Sequence, residues 1–131
     1  MTEENFIENA RTKYKEIVSP VRCKCLQQDI YFNADGFNHL LYNGLGQPRT
    51  QAEIKHKTRL IRLIVPVIKT ALESSYEKRL VRKSRKKKSP MVIAEFWGMS
   101  AQVGKKDISI RVIVKRVGNG QFYFWSVMTN K

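Results

Sequence analysis

Apolar residues recur first with the period of a helix and later with the period of a strand. Phe6, Ile7, Ala10, Tyr14, Ile17 and Val18 fall at helical spacing, which predicts an N-terminal helix within residues 1–20 that packs one face on the body. Thr2 can cap it, Glu3 and Glu4 lie in a first turn where negative charge suits the helix dipole, and Ser19-Pro20 ends it. The chain from Val21 to Phe32 reads as extended, at least over Ile30-Tyr31-Phe32. Asp35 to Asn43 then reads as a turn feeding a short helix, with Gly36 supplying a permissive backbone. Phe37, Leu40 and Leu41 share one face of that helix, and His39 points to a different side.

Thr50-Gln51-Ala52-Glu53 is a capping box followed at once by an apolar periodic run. Ile54, Ile61, Ile64 and Ile68 fall on one side, joined by Leu60, Val67, Ala71 and Leu72, while Pro66 is expected to kink or divide the helix. Lys55, Arg59 and Arg62 stack at i, i+4 and i+7 on the opposite side, either as a solvated face or as a row of phosphate contacts. Tyr76 to Val81 could finish the helix or begin a strand. Residues 82–90 are almost pure charge and read as an exposed basic loop.

Period-2 patterning takes over after the loop. Met91 to Trp97 reads as a strand ended by Gly98. Ile108 to Val117 is a second, Gly118-Asn119-Gly120 a tight turn, and Gln121 to Met128 a third strand dense in aromatics. The fold class is therefore α+β: one domain over 1–131, with N-terminal helices packed on one face of a C-terminal antiparallel sheet of three to four strands. Ile108, Ile110, Val112 and Val114 alternate with Ser109, Arg111, Ile113 and Lys115, which places Arg111 on the face without helices. Taking Val92, Ala94 and Phe96 as core puts Glu95 and Trp97 beside it. In the last strand either Phe122, Phe124, Ser126 and Met128 point outward or Tyr123, Trp125, Val127 and Thr129 do. Both sets carry rings able to stack on bases.

Composition narrows the function. A hydrophobic fraction of 42% suits an ordered globular protein, and a net charge of +14 over 131 residues favours polyanions, nucleic acid first. No apolar run reaches the length of a membrane span, and the acidic start has no apolar signal core, so a cytoplasmic protein with no membrane association is expected. Cys23 and Cys25 are too close for an unstrained disulfide, and with only His39 and His56 as further soft ligands the spacing fits no zinc pattern. No metal or cofactor is expected, and the two thiols are read as buried or half-buried.

A histidine, a glutamate, an arginine and a hydroxyl on one sheet face would suffice for RNA cleavage without a metal. One group deprotonates the 2′-OH, another protonates the leaving 5′-oxygen, and cations stabilise the phosphorane. The candidates are His39, Glu95, Arg111 and Ser126. The plain alternatives are a structural histidine, a Glu95–Arg111 cross-strand ion pair and an ordinary strand serine. The order of features, Gly-Phe-Asn-His-Leu-Leu at 36–41, Arg59 and Arg62 on a helix, Val65-Pro66-Val67-Ile68, and a last strand with Phe124-Trp125-Ser126-Val127, resembles the barnase–EndoU–colicin–RelE (BECR) nuclease superfamily, particularly its phage-associated branches. That resemblance covers roughly Ile30 to Thr129. It implies a toxin-like endoribonuclease, with His39 as the helix-borne catalytic histidine, Ser126 as the hydroxyl of the last strand and Arg111 as a phosphate-binding residue of the sheet. The basic loop is not part of that pattern. Expected RNA contacts are Lys55, Arg59, Arg62, Arg82, Lys83, Arg85, Lys86, Lys87, Trp97 and Trp125. The expected partners are RNA, with tRNA among the candidates, and an inhibitory or immunity protein. A non-catalytic RNA- or DNA-binding module remains the second reading, and a basic protein docking on an acidic partner the third.

Overall fold

A computed structural model describes residues 3–43, 45–83 and 88–129. In chain order the elements are α1 (Glu3–Lys15), β1 (Val21–Cys23), β2 (Gln28–Tyr31), α2 (Ala34–Leu41), α3 (Gln51–Arg59), α4 (Ile61–Thr70), β3 (Ser74–Arg82), β4 (Met91–Val103), β5 (Ile108–Val117) and β6 (Phe122–Thr129). The strands form one six-stranded sheet in the order β1-β2-β6-β5-β4-β3, antiparallel except where β2 runs parallel to β6. The α+β class holds, with more strands than the three to four expected. The stretch around Tyr76 forms β3, paired with β4 over its whole length, and the extended segment after Val21 forms β1 and β2.

The helix break falls at Leu60, ahead of Pro66, which is tolerated inside α4. The N–H that Pro66 lacks would have bonded to the carbonyl of Arg62, an exposed residue where water can take that bond. The break puts Arg62 on a different helix from Lys55 and Arg59, so the three cations, all exposed, form no continuous ridge.

Ile64, Val67 and Ile68 of α4 are fully buried against Met99, Ile110 and Val112 of the sheet. Cys23 belongs to the same core, with its sulfur 3.7 Å from Met99 Sδ and 3.8 Å from the part-buried Cys25. α1 adds Ala10 and Tyr14. After β2 ends, α2 takes its place along β6. That approach needs Gly36, because a Cβ there would collide with the carbonyl of Phe124 and lie 2.8 Å from the Tyr14 hydroxyl.

Register corrects the expected faces. β4 runs through Gly98, and Trp97 pairs with Val114, Met99 with Val112 and Glu95 with Arg116. The odd positions of β4 therefore share the helix-packed side, so Glu95 and Trp97 lie on the opposite face from Arg111. Ala94 and Phe96 are buried on the other face without any helix, because Arg79 and Lys115 lie over the Phe96 ring at 4.6 and 5.6 Å. Long cationic side chains cover apolar surface there and give it the look of a core.

Candidate functional site

β6 contains a bulge. Val114 pairs with Phe124 and Ile113 with Ser126, leaving Trp125 as the extra residue. The bulge shifts the alternation, so neither expected set points outward as a whole. Phe122, Phe124 and Val127 share the helix side, and Tyr123, Ser126 and Met128 share the other face with Arg111 and Lys115. α2 and α3 line the edge of β6 beyond β2. His39 and Lys57 reach this edge, one from each helix.

The His39 ring stacks on Trp125 with centroids 4.1 Å apart, and Lys115 Nζ lies 3.9 Å from the Trp125 ring centre. Trp125 thus holds the histidine and is already engaged as a surface for bases. Nδ1 of His39 is buried and has no hydrogen-bond partner among the described residues. Burial, then the cations Arg49, Lys57 and Lys115, depress the His39 pKa to about 4, with the Trp125 backbone pulling the other way. The ring is neutral at pH 7.

Lys57 donates to the carbonyl of Val127 at 3.0 Å and lies 3.5 Å from Ser126 Oγ. Burial and then Arg49 lower its pKa to about 8, with Glu53 opposing. Arg49 is the fixed charge behind both shifts. Its side chain is 12% exposed, donates from Nε to the carbonyl of His39 at 3.0 Å and pairs with Glu53 at 3.6 Å. Glu53 closes the capping box with Thr50, so the start of α3 and the end of α2 are tied through one arginine.

The structure therefore brings His39 and Ser126 to one strand edge and separates them from Glu95. Glu95 accepts from the Tyr76 hydroxyl at 2.6 Å on the helix side. Arg111 is on the right face, but its guanidinium crosses β4 and donates to Ser75 Oγ at 2.8 Å. Gly98 makes that crossing possible, since a Cβ there would occupy the guanidinium's place. Ser126 is 4% exposed; it can position Lys57 but offers little surface to a phosphodiester. Trp97 packs on Phe122 and Tyr76 at 4.9 and 5.4 Å, apart from this site. Arg82 ends β3 and the backbone N–H of Lys83 bonds to the carbonyl of Pro90; Arg85, Lys86 and Lys87 lie outside the described residues.

Lys57, Arg49, Lys115 and Asp35 are absent from the sequence-based set. Lys57 carries a signal: it stands three residues from buried Ile54, on the apolar side of α3 rather than among its solvent-facing cations. Asp35 shares a face of α2 with His39 at i, i+4, and its charge favours the protonated forms of Lys115 and Tyr123. Burial and then Asp35 push the Tyr123 phenol up to about 12. Among the described residues no three His, Cys, Asp or Glu side chains gather as a metal site, and no helix is long and apolar enough to cross a membrane. No protein-family model matches the chain, and no curated protein or solved structure matches it significantly.

Proposed function

We propose that this protein is a metal-independent, toxin-like endoribonuclease whose chemistry runs through His39 and Lys57. The observation that carries the reading is the pair itself: a neutral imidazole and a partly buried ammonium with a pKa lowered to about 8, both at one strand edge, the lysine donating to the carbonyl of Val127 and the histidine's carbonyl accepting from Arg49. Transesterification of a 2′-hydroxyl needs an unprotonated base and a protonated acid, and at pH 7 the pair supplies both, His39 as a weak base and Lys57 as an acid that titrates just above neutrality.

Neutral His39 takes the proton of the 2′-OH as that oxygen attacks phosphorus. The P–O5′ bond breaks, and the leaving oxygen takes a proton from the Lys57 ammonium. The products are a 2′,3′-cyclic phosphate and a free 5′-hydroxyl. Lys115 lies on the same side and stabilises the phosphorane oxygens; Arg111 serves the flanking backbone. Lys57 thus replaces Glu95 as the second proton-transfer group. Nδ1 of His39, buried and without a hydrogen-bond partner among the described residues, is the nitrogen this reading assigns as the base. The BECR resemblance points to the same histidine.

The second reading, a basic RNA- or DNA-binding module, draws on the distance of Glu95 from the site and on the hold of Ser75 on Arg111. One assay separates them. Purified protein is incubated with total RNA in a metal chelator, beside His39→Ala and Lys57→Met. Cleavage by the wild type alone, leaving cyclic phosphate ends, supports the nuclease. RNA retention with no cleavage supports the binding module, and equal cleavage by all three sinks the assignment.

A further inference from the structure

A second feature of α2 lies on the side of the helix that His39 does not use. Ala34, Phe37 and Asn38 border a half-open cleft of about 340 Å3 between α1, the end of β2 and the start of α2. Their i, i+3, i+4 spacing puts them on one stripe, adjoining the stripe of Asp35 and His39. The walls are aromatic. Tyr14 and Phe37 have ring centres 5.3 Å apart, and Phe32 stands 5.8 Å from Tyr14, edge to face. Phe32 stacks on Phe124 with ring centres 5.6 Å apart and stays half-buried, so part of it is open to the cleft. The Tyr14 hydroxyl is spent on the carbonyl of Asn33 at 2.8 Å, which leaves that wall apolar.

The rim has the opposite character. Arg11 and Lys15 supply two cations, and among the described residues no carboxylate lines the cleft; Glu8 pairs with Arg11 at 3.6 Å. The Arg11 guanidinium sits 4.8 Å over the Phe37 ring. Asn38, exposed beside it, offers an amide with both a donor and an acceptor. The volume is at the low end of the roughly 300–1,000 Å3 of small-molecule sites, which suits one small planar ligand.

We infer that this cleft is a nucleotide subsite, taking one unpaired base against the half-buried Phe32, its edge on Asn38 and a neighbouring phosphate on Arg11 and Lys15. Flat apolar walls accept a ring, an amide reads its edge, and a rim of cations without a lining carboxylate selects the attached anion. The inference rests on the RNA reading above for its ligand and deepens it. A strand laid across α2 places one base in the cleft while a nearby phosphodiester reaches His39, so the base held there helps choose the bond that is cut.

The test is a titration of isotope-labelled protein with AMP, GMP, CMP and UMP, and with ribose 5-phosphate as the baseless control, followed by amide NMR shifts. Saturable shifts confined to Tyr14, Lys15, Phe32, Phe37 and Asn38 are expected with at least one nucleotide, and binding about tenfold weaker with ribose 5-phosphate. Arg11→Gln, a rim substitution that spares the walls, weakens binding about tenfold by removing a charge-assisted phosphate interaction. Asn38→Ala changes the order of preference among the four bases. Equal shifts by ribose 5-phosphate, shifts centred on β6, or no saturable shift at all would overturn the subsite. Failure here with His39-dependent cleavage intact removes the subsite alone. Nucleotide binding here by a protein that cuts no RNA removes the nuclease and leaves the subsite.

Discussion

His39 is costly to the fold, and the proposed reaction would give that cost a use. An unsatisfied buried polar atom costs about 1–3 kcal/mol relative to an apolar group of the same shape, so His39→Phe should leave stability unchanged or raise it by about 1 kcal/mol while cleavage is abolished. Denaturant midpoints and an RNA assay on the same preparation check both halves; a large drop in stability would mean the imidazole is a structural group. The depressed pKa adds a linkage effect. As pH falls from 6.5 towards 4 the unfolded chain takes up a proton that the folded ring refuses, so stability supplied above 6.5 is lost across that window. Allowing for solvent screening of a half-buried ring, the loss is on the order of 1–2 kcal/mol. Carboxylates titrate in the same range, so the wild type minus His39→Phe difference isolates it. For the proposed reaction the rate should rise as His39 loses its proton near pH 4 and fall as Lys57 loses its own near pH 8. Lys57→Arg, which stays protonated, should flatten the alkaline limb while lowering the plateau. An alkaline limb unmoved in that variant would remove Lys57 as the acid.

Element boundaries are legible where local chemistry fixes them. The capping box at Thr50 to Glu53 marks the start of α3, with Thr50 Oγ1 accepting from the Glu53 N–H at 3.2 Å. The helix around His39 and the turn at Gly118 to Gly120 follow the same rule. The phase of the strands is not legible, for two reasons that act at a distance. β4 is apolar on both faces because Arg79 and Lys115 cover Phe96, so alternation within the strand does not say which side meets the helices. In β6 one bulge residue, Trp125, reverses the alternation midway. Lys57 and Arg49 acquire their meaning only from burial by other elements, which no local pattern records. Gly98 has the pattern of a strand end and is instead a crossing point for Arg111; a glycine inside an alternating run signals close approach as readily as termination. The two tight glycines should therefore behave differently. At Gly36 the obstacle to a Cβ is backbone, so Gly36→Ala should destabilise by about 3 kcal/mol. At Gly98 the main obstacle is the far end of Arg111, so Gly98→Ala should cost less than about 1 kcal/mol but displace the guanidinium and weaken RNA binding. Thermal unfolding and filter binding on both variants check the contrast, and a Gly98→Ala protein as unstable as Gly36→Ala would mean the guanidinium has nowhere else to go.

Charge is spread over the whole molecule, and the sheet divides it into two sets that RNA could use. Eight of the 25 lysines and arginines lie between residues 78 and 88 with no acidic residue among them, which leaves +6 of the net +14 elsewhere, so the basic character is not confined to that segment. On the face of the proposed chemistry stand Arg111 and Lys115, level with Met128 and Tyr123. On the helix side of the β3–β4 hairpin stand Lys78, opposite Glu95, and Arg82, opposite Met91, with exposed Leu80 and Ile93 between them. Both sets raise the potential around the protein and speed encounter, but only cations that touch phosphate release counterions. If the strand runs along the face of His39, the double substitution Arg111→Gln/Lys115→Gln should lower the slope of log affinity against log salt by about 0.7 for each single-strand phosphate no longer neutralised. Lys78→Gln/Arg82→Gln removes the same formal charge from the other side and should reduce association rate with little change in that slope. Measuring the slopes with His39→Ala as the common background keeps cleavage from obscuring binding. The reverse outcome, a slope that falls only with Lys78 and Arg82, would put RNA on the hairpin's helix side, away from His39 and Lys57. Binding there would leave the acid–base pair without a substrate, so the salt slope tests the substrate path independently of any product.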